Sequence, residues 1–156
     1  MPLASFPRIT VAIDGSPHAG AALDVAIDLA QRYGSELQIL SVAPLVPVYI
    51  PAAEPYVPSA VPETEVLRYR GIVDAAVKRA EAAGVKNVTG VADEGVVVDE
   101  ILAHLESNPT NLLVVGSRGL TAAKRLLLGS VSTALVNHAP CAVLVVRVPP
   151  VKPSGG

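Results

Sequence analysis

Leu112-Leu113-Val114-Val115-Gly116-Ser117-Arg118-Gly119, then nine residues from Leu120 to Leu128, then Gly129-Ser130-Val131-Ser132: along this stretch the chain passes from an unbroken apolar run to a glycine-bearing loop to the start of a helix. Leu112 to Val115 has the pattern of a strand covered on both faces, and such strands belong to parallel sheets. The sequence predicts a helix from about Ser130 to His138 and a second buried strand from Ala142 to Val146, with Pro140 separating the two. Strand, loop, helix and strand make one βαβ unit, and such units build a mostly parallel sheet with helices on both faces.

The same alternation runs back to the N-terminus. Ile9 to Ile13 is a short β-branched run that stops at Asp14-Gly15-Ser16-Pro17. Ser16 is placed to cap a helix with Pro17 at its first position and Gly34 at its end. Within that helix Ala19, Ala22, Leu23, Ala26, Ile27 and Ala30 recur at spacings of three and four, while Asp24 and Asp28 share another, solvated face. Leu37 to Val42 is the second strand, Glu63 to Ala83 a helix closed by Gly84, Asn87 to Ala92 a weaker strand, and Val96 to Glu106 a short helix stopped by Asn108-Pro109. The expectation is an α/β domain of five strands, residues 1–148, with a proline-rich loop at 45–62 and a flexible tail at 149–156.

Composition narrows the function. Hydrophobic residues are 51% of the 156, charged residues 17%, and the formal charge is −2, so there is no basic excess to neutralise a nucleic-acid backbone. Aromatics are only 3%, with no Trp, which removes base-stacking platforms. One cysteine, Cys141, allows no internal disulfide and no cysteine metal cluster, and it points to a cytoplasmic location. No signal peptide is evident, and the uncharged stretch from Leu126 to Val146 is broken by Gly129, Ser130, Asn137, His138 and Pro140, which argues against a membrane span. His18, His104 and His138 show no ligand spacing and read as solvated or helix-end residues.

The loop after the fourth strand carries the chemistry. Glycines at 116, 119 and 129 would let the backbone approach a ligand and take positive φ angles. The amides of Ser130, Val131 and Ser132 are the unpaired donors of a helix N-terminus, Ser130 and Ser132 add hydroxyls, and Arg118 adds a cation; phosphate is the natural ligand. No Gly-Lys pair occurs in the chain, so this is not a Walker A loop, and the dinucleotide fingerprint is missing too. On glycine content alone, a plain turn and helix cap remains an equal reading.

Gly116, Gly119, Gly129 and Ser130 match the pattern Gly, two residues, Gly, nine residues, Gly, then Ser or Thr. In this the chain resembles the ATP-binding branch of the universal stress proteins, from its first strand to Val146. The resemblance implies a three-layer, Rossmann-like fold of the adenine nucleotide alpha hydrolase type, with a five-stranded parallel sheet of order 3-2-1-4-5. It implies that Ala12 and Val42 frame the adenine and that Asp14 meets the ribose and a Mg²⁺ ion. Gly116, Arg118, Gly119, Gly129, Ser130, Val131 and Ser132 would hold the phosphates of ATP, or of AMP. It also implies a homodimer through the last strand, 142–146, an edge with no charge or proline to blunt it, and a regulatory role read by an unidentified protein partner.

Two departures from the family pattern stand out. Asp93-Glu94-Gly95-Val96-Val97 has no proline where relatives often carry Gly-x-Pro, and the 45–62 loop is unusually rich in proline. The competing functions are an AMP- or cyclic AMP-binding protein, a slow ATPase, and a ligand-free interaction module. The Ser-Gly-Gly-x-Asp and His-x-Gly-His motifs of enzymatic relatives are absent, and the intact glycines oppose the ligand-free module.

Overall fold

Ile9 and Val11 on one side of the first strand and Thr10 on the other are all closed to solvent, which places that strand at the centre of a sheet covered on both faces. The structure is a computed structural model and describes residues 5–45, 61–118 and 128–148. The elements are β1 (Arg8–Ala12), α1 (Pro17–Tyr33), β2 (Glu36–Pro44), α2 (Glu63–Ala82), β3 (Val88–Gly95), α3 (Val97–Ser107), β4 (Leu112–Gly116), α4 (Ser130–His138) and β5 (Ala142–Val146). The strands form one sheet of order β3-β2-β1-β4-β5, every neighbouring pair parallel, as the resemblance implied. Most of the 45–62 loop, Gly119 and the 149–156 tail lie outside the described residues.

Each helix follows from its local chemistry. Ser16 caps α1, its hydroxyl accepting the Ala19 amide at 3.2 Å, with Pro17 at the first position and Gly34 ending the helix at φ 64°. The six apolar residues of the expected stripe, Ala19 through Ala30, are the buried ones. On α2, Tyr69, Val73, Ala76 and Ala80 are buried, whereas Val66 and Val77 are only half-buried. The helix stops one residue early, at Ala82. Asp24 and Asp28 do lie on an exposed face but are paired, with Arg79 of α2 and with Arg32 one turn on. Exposed pairs contribute about 0–1 kcal/mol each, against roughly 1.5–3 kcal/mol for burying a side chain such as Ile39 or Leu113. The apolar layers, not the ion pairs, hold the helices to the sheet.

Two such layers sandwich the sheet. On one face α1 and α2 pack against Ile9, Val11, Leu37, Ile39, Leu112 and Val114. On the other, Ile101 and Leu105 of α3 and Leu135 of α4 pack against Leu40, Val42, Leu113 and Val115. Two expectations need correction. β3 runs on to Gly95 rather than stopping at Ala92, because Asp93, Glu94 and Gly95 continue the register beside Val42, Ala43 and Pro44. β5 is not buried on both faces: it is an edge strand, with Ala142 and Leu144 exposed while Val143 and Val145 turn onto the α3–α4 layer. Its continuous apolar run reflects an uncovered edge, not central burial.

A polar network lies at the opposite end of the sheet from the loops after β1 and β4. His104 Nε2 is 3.1 Å from Gln38 Oε1, Asn108 Nδ2 is 3.3 Å from His104 Nδ1, and the buried Thr10 hydroxyl is 2.9 Å from that of Thr110. With the Gln38 oxygen as acceptor, His104 carries its proton on Nε2 and takes the Asn108 amide at Nδ1. A second proton at Nδ1 would face a donor. Burial lowers the His104 pKa below its ordinary 6.5, and the charge of Asp93 opposes that shift without cancelling it.

The unfolded chain therefore binds this proton before the folded one does, and stability present above pH 6.5 is lost as pH falls towards the folded-state pKa. Urea unfolding should give a lower free energy at about pH 5.5 than at about pH 7.5, with the difference reduced in His104→Gln. An identical pH dependence in the variant would contradict this role.

Candidate functional site

β1 is the shortest way into the site, because it ends before its neighbours do. Its ladder with β4 stops at Ala12↔Val115, while β2 continues to Pro44 and β4 to Gly116. Ile13 still donates its amide to the Leu40 carbonyl at 2.9 Å, and the buried Ser41 hydroxyl donates to the Ile13 carbonyl. Beyond that point β1 turns away at Asp14. Successive residues of a parallel strand address alternate neighbours. Since Leu40 addresses β1, Val42 does so too, and its amide and carbonyl face the space that β1 has left.

Asp14 lies partly buried at the mouth of this space. One of its carboxylate oxygens accepts the Ser16 amide at 2.9 Å, a local turn that fixes the side chain ahead of α1. After β4, α4 begins at Ser130 with Gly129 as its cap, and the first intrahelical bond runs from the Thr133 amide to the Gly129 carbonyl at 3.0 Å. Helix geometry leaves the Ser130, Val131 and Ser132 amides pointing out of the N-terminus without intrahelical acceptors, where the helix dipole favours an anion.

The glycines act differently from the expectation. Gly129 has φ −62°, an ordinary value, and Gly116 is not among the positive-φ glycines either. A Cβ on Gly116 would stand 2.8 Å from both the carbonyl carbon and oxygen of His18, so this glycine is demanded by the first turn of α1 pressed against the end of β4. A Cβ on Gly129 would meet the Ser117 carbonyl oxygen at 3.4 Å, which is ordinary contact. Gly119 lies outside the described residues. Arg118 is described and partly buried, and its Cα lies 3.5 Å from the Cβ position of Gly129.

Ser132 also departs from its expected role. Its buried hydroxyl donates to the Ser117 carbonyl at 2.9 Å, with a longer arm of 3.1 Å to the Gly129 carbonyl. That hydroxyl joins the helix to the loop, leaving the amide as the group offered at the N-terminus. Sequence reasoning missed Ser117 altogether. Its carbonyl also accepts the Gly129 amide at 2.7 Å, its own amide donates to Val146 at 2.9 Å, and its hydroxyl shares a 3.0 Å hydrogen bond with His18 Nδ1. His18 is thus tied to the site rather than simply solvated. No local spacing could have linked two residues 99 positions apart.

Among the described residues there is no cluster of three or more His, Cys, Asp or Glu side chains able to hold a metal, and no helix long and apolar enough to cross a membrane. Cys141 is half-buried beside the α3–α4 layer, and burial pushes its thiol pKa up, which makes it a poor nucleophile.

A parallel sheet of order 3-2-1-4-5, with helices on both faces and its switch point between β1 and β4, defines a doubly wound α/β protein. The chain belongs to the universal stress protein family, whose model matches residues 5–147. It is 36% identical over 150 residues to universal stress protein YxiE of Bacillus subtilis, covering 91% of this chain and 99% of that one. Among solved structures it superposes on the universal stress protein UspA from Lactobacillus plantarum with a TM-score of 0.81 at 26% identity, covering 93% of this chain and all of that one. A universal stress protein solved in complex with cAMP matches with a TM-score of 0.69, also at 26% identity, over 92% of this chain and 98% of that one.

Proposed function

We propose that this chain binds an adenine nucleotide, Mg-ATP foremost, in the crevice between Asp14, Val42 and the N-terminus of α4. In this reading it serves as a cytoplasmic regulatory module of the stress response, built as one domain over residues 1–148. The observation that carries the reading is the α4 N-terminus, which the Ser117 carbonyl holds at the end of β4 and whose Ser130, Val131 and Ser132 amides lack intrahelical acceptors within the Gly116, Gly119, Gly129, Ser130 spacing. Adenine would lie near Ala12 with its edge against the Val42 backbone, and the phosphates would run towards Gly116, Arg118, Gly119 and Gly129.

The donor set suits magnesium held mainly by phosphate oxygens. Hard divalent cations of that size are commonly bound by one or two carboxylates plus a nucleotide's own oxygens. Asp14 supplies a single carboxylate, one oxygen of which is engaged by Ser16. When bound, the ion would neutralise phosphate charge. Nothing near the crevice among the described residues is arranged to orient an attacking water, so turnover is expected to be slow at most. Cyclic AMP is the second reading, favoured by the relative solved with that ligand.

Assembly is part of the proposal. The two edges of the sheet differ: β3 carries Asp93, Glu94 and Gly90, which blunt it, whereas β5 is wholly aliphatic. Val146 addresses β4 through its bond to Ser117, so alternation turns the backbone groups of Val143 and Val145 to the open side. Leu144, 36% exposed, adds apolar surface on this strand. A second copy pairing β5 with β5 across a two-fold axis would cover all of it.

Calorimetric titration of purified protein with ATP, AMP and cyclic AMP, with and without magnesium, should give saturable binding of ATP that magnesium strengthens. No binding of any of the three at millimolar concentration would remove the nucleotide reading. Gly129→Val, whose branched side chain would sit beside the Ser117 carbonyl at the start of α4, should lower affinity by about tenfold or more, some 1.4 kcal/mol, with the circular dichroism spectrum retained. For assembly, light scattering at micromolar concentration should return about twice the chain mass, falling towards the monomer in Leu144→Lys. Leu144 is the appropriate probe because Val143 and Val145 also pack within the monomer. A wild-type monomer would refute pairing through β5.

A further inference from the structure

Gly116 is pressed against the backbone of His18, and the next residue, Ser117, is bonded to the His18 ring. The first turn of α1 and the end of β4 are therefore joined by both packing and a side-chain hydrogen bond. From the same Ser117, the carbonyl reaches the Gly129 amide at 2.7 Å and the Ser132 hydroxyl at 2.9 Å. A continuous path thus runs from His18 through Ser117 to the cap and third residue of α4. The helix N-terminus can receive an anion only if it keeps its orientation towards the crevice, and this path is what sets it.

We propose that His18 and Ser117 are a positioning pair: their hydrogen bond fixes the α4 N-terminus against α1, so that it tunes affinity for the phosphates of a nucleotide and leaves affinity for the nucleoside unchanged. The inference rests on the nucleotide reading and adds to it residues outside the glycine spacing. Neither side chain needs to touch the ligand. Ser117→Ala removes only the hydroxyl, leaving the amide bond to Val146 and both bonds to the carbonyl in place. His18→Ala removes the other partner at an early helical position where alanine is well tolerated.

A double-mutant cycle tests the pair, with affinities for ATP and for adenosine measured in the wild type, His18→Ala, Ser117→Ala and the double variant. Each single variant should bind ATP roughly three- to tenfold more weakly, the scale of one hydrogen bond, while adenosine affinity stays within about twofold. The double variant should be no weaker than the worse single one, since both lose the same bond. Unchanged ATP affinity, additive losses, or an equal loss for adenosine would overturn the proposal.

Amide hydrogen exchange on the nucleotide-free proteins separates this from a failure of the nucleotide reading itself. The bonded Gly129 and Thr133 amides should exchange faster in both single variants while those of β2 do not. If the wild type bound neither ATP nor adenosine, the nucleotide reading would fall and exchange alone would judge the tether; unchanged rates there would overturn it.

Discussion

The backbone of Ser117 ties α4 to the end of the β4–β5 ladder. Its amide closes the last rung to β5 at Val146, and its carbonyl receives both the cap of α4 and the Ser132 hydroxyl. The buried position makes these bonds consequential, because an unpaired carbonyl or amide there would cost about 1–3 kcal/mol. With Ser117 so engaged, α4 has to start where it does and aim its N-terminus across the end of β4. Gly116 performs the complementary task by yielding space to α1.

The crevice is a consequence of unequal strand lengths around that point. β2 and β3 stay paired as far as Pro44 and Gly95, whereas β1 is released after Ala12. Ser41 bonds to the Ile13 carbonyl, which keeps a partner as the chain leaves the sheet. The Val42 backbone and Asp14 therefore stand at the end of the sheet where β1 leaves it, beside the β4 end at which Ser117 holds α4. In the proposed reading the carboxylate of Asp14 and the amides of the α4 N-terminus would serve a ligand that carries both phosphate and a metal ion.

Much of this architecture was legible before any coordinates. The stripe from Ala19 to Ala30 and the cap at Ser16 depend on neighbours within one or two turns, which is why periodicity located α1 and its buried face so closely. The strand order came through the family resemblance rather than through any residue pattern. What local reading misjudged was set by distant partners. Ala142 to Val146 reads as buried until the sheet order puts it at an edge. The glycines at 116 and 129 read as sites of ligand approach and positive φ, yet one is required by a helix 98 positions back in sequence, His18 to Gly116, and the other has an ordinary φ. Ser132 reads as a ligand hydroxyl until Ser117 is brought beside it.

Backbone amide chemical shifts, followed as Mg-ATP is added to the isotopically labelled protein, test the location of the site most directly. A nucleotide held on the α4 N-terminus predicts large, saturable shifts at Ser130, Val131 and Ser132, with further shifts at Val42 and Ser117, and little change at Thr110 and His104 across the sheet. Shifts centred on the Thr110 and His104 end, or no saturable shift anywhere at millimolar nucleotide, would contradict it.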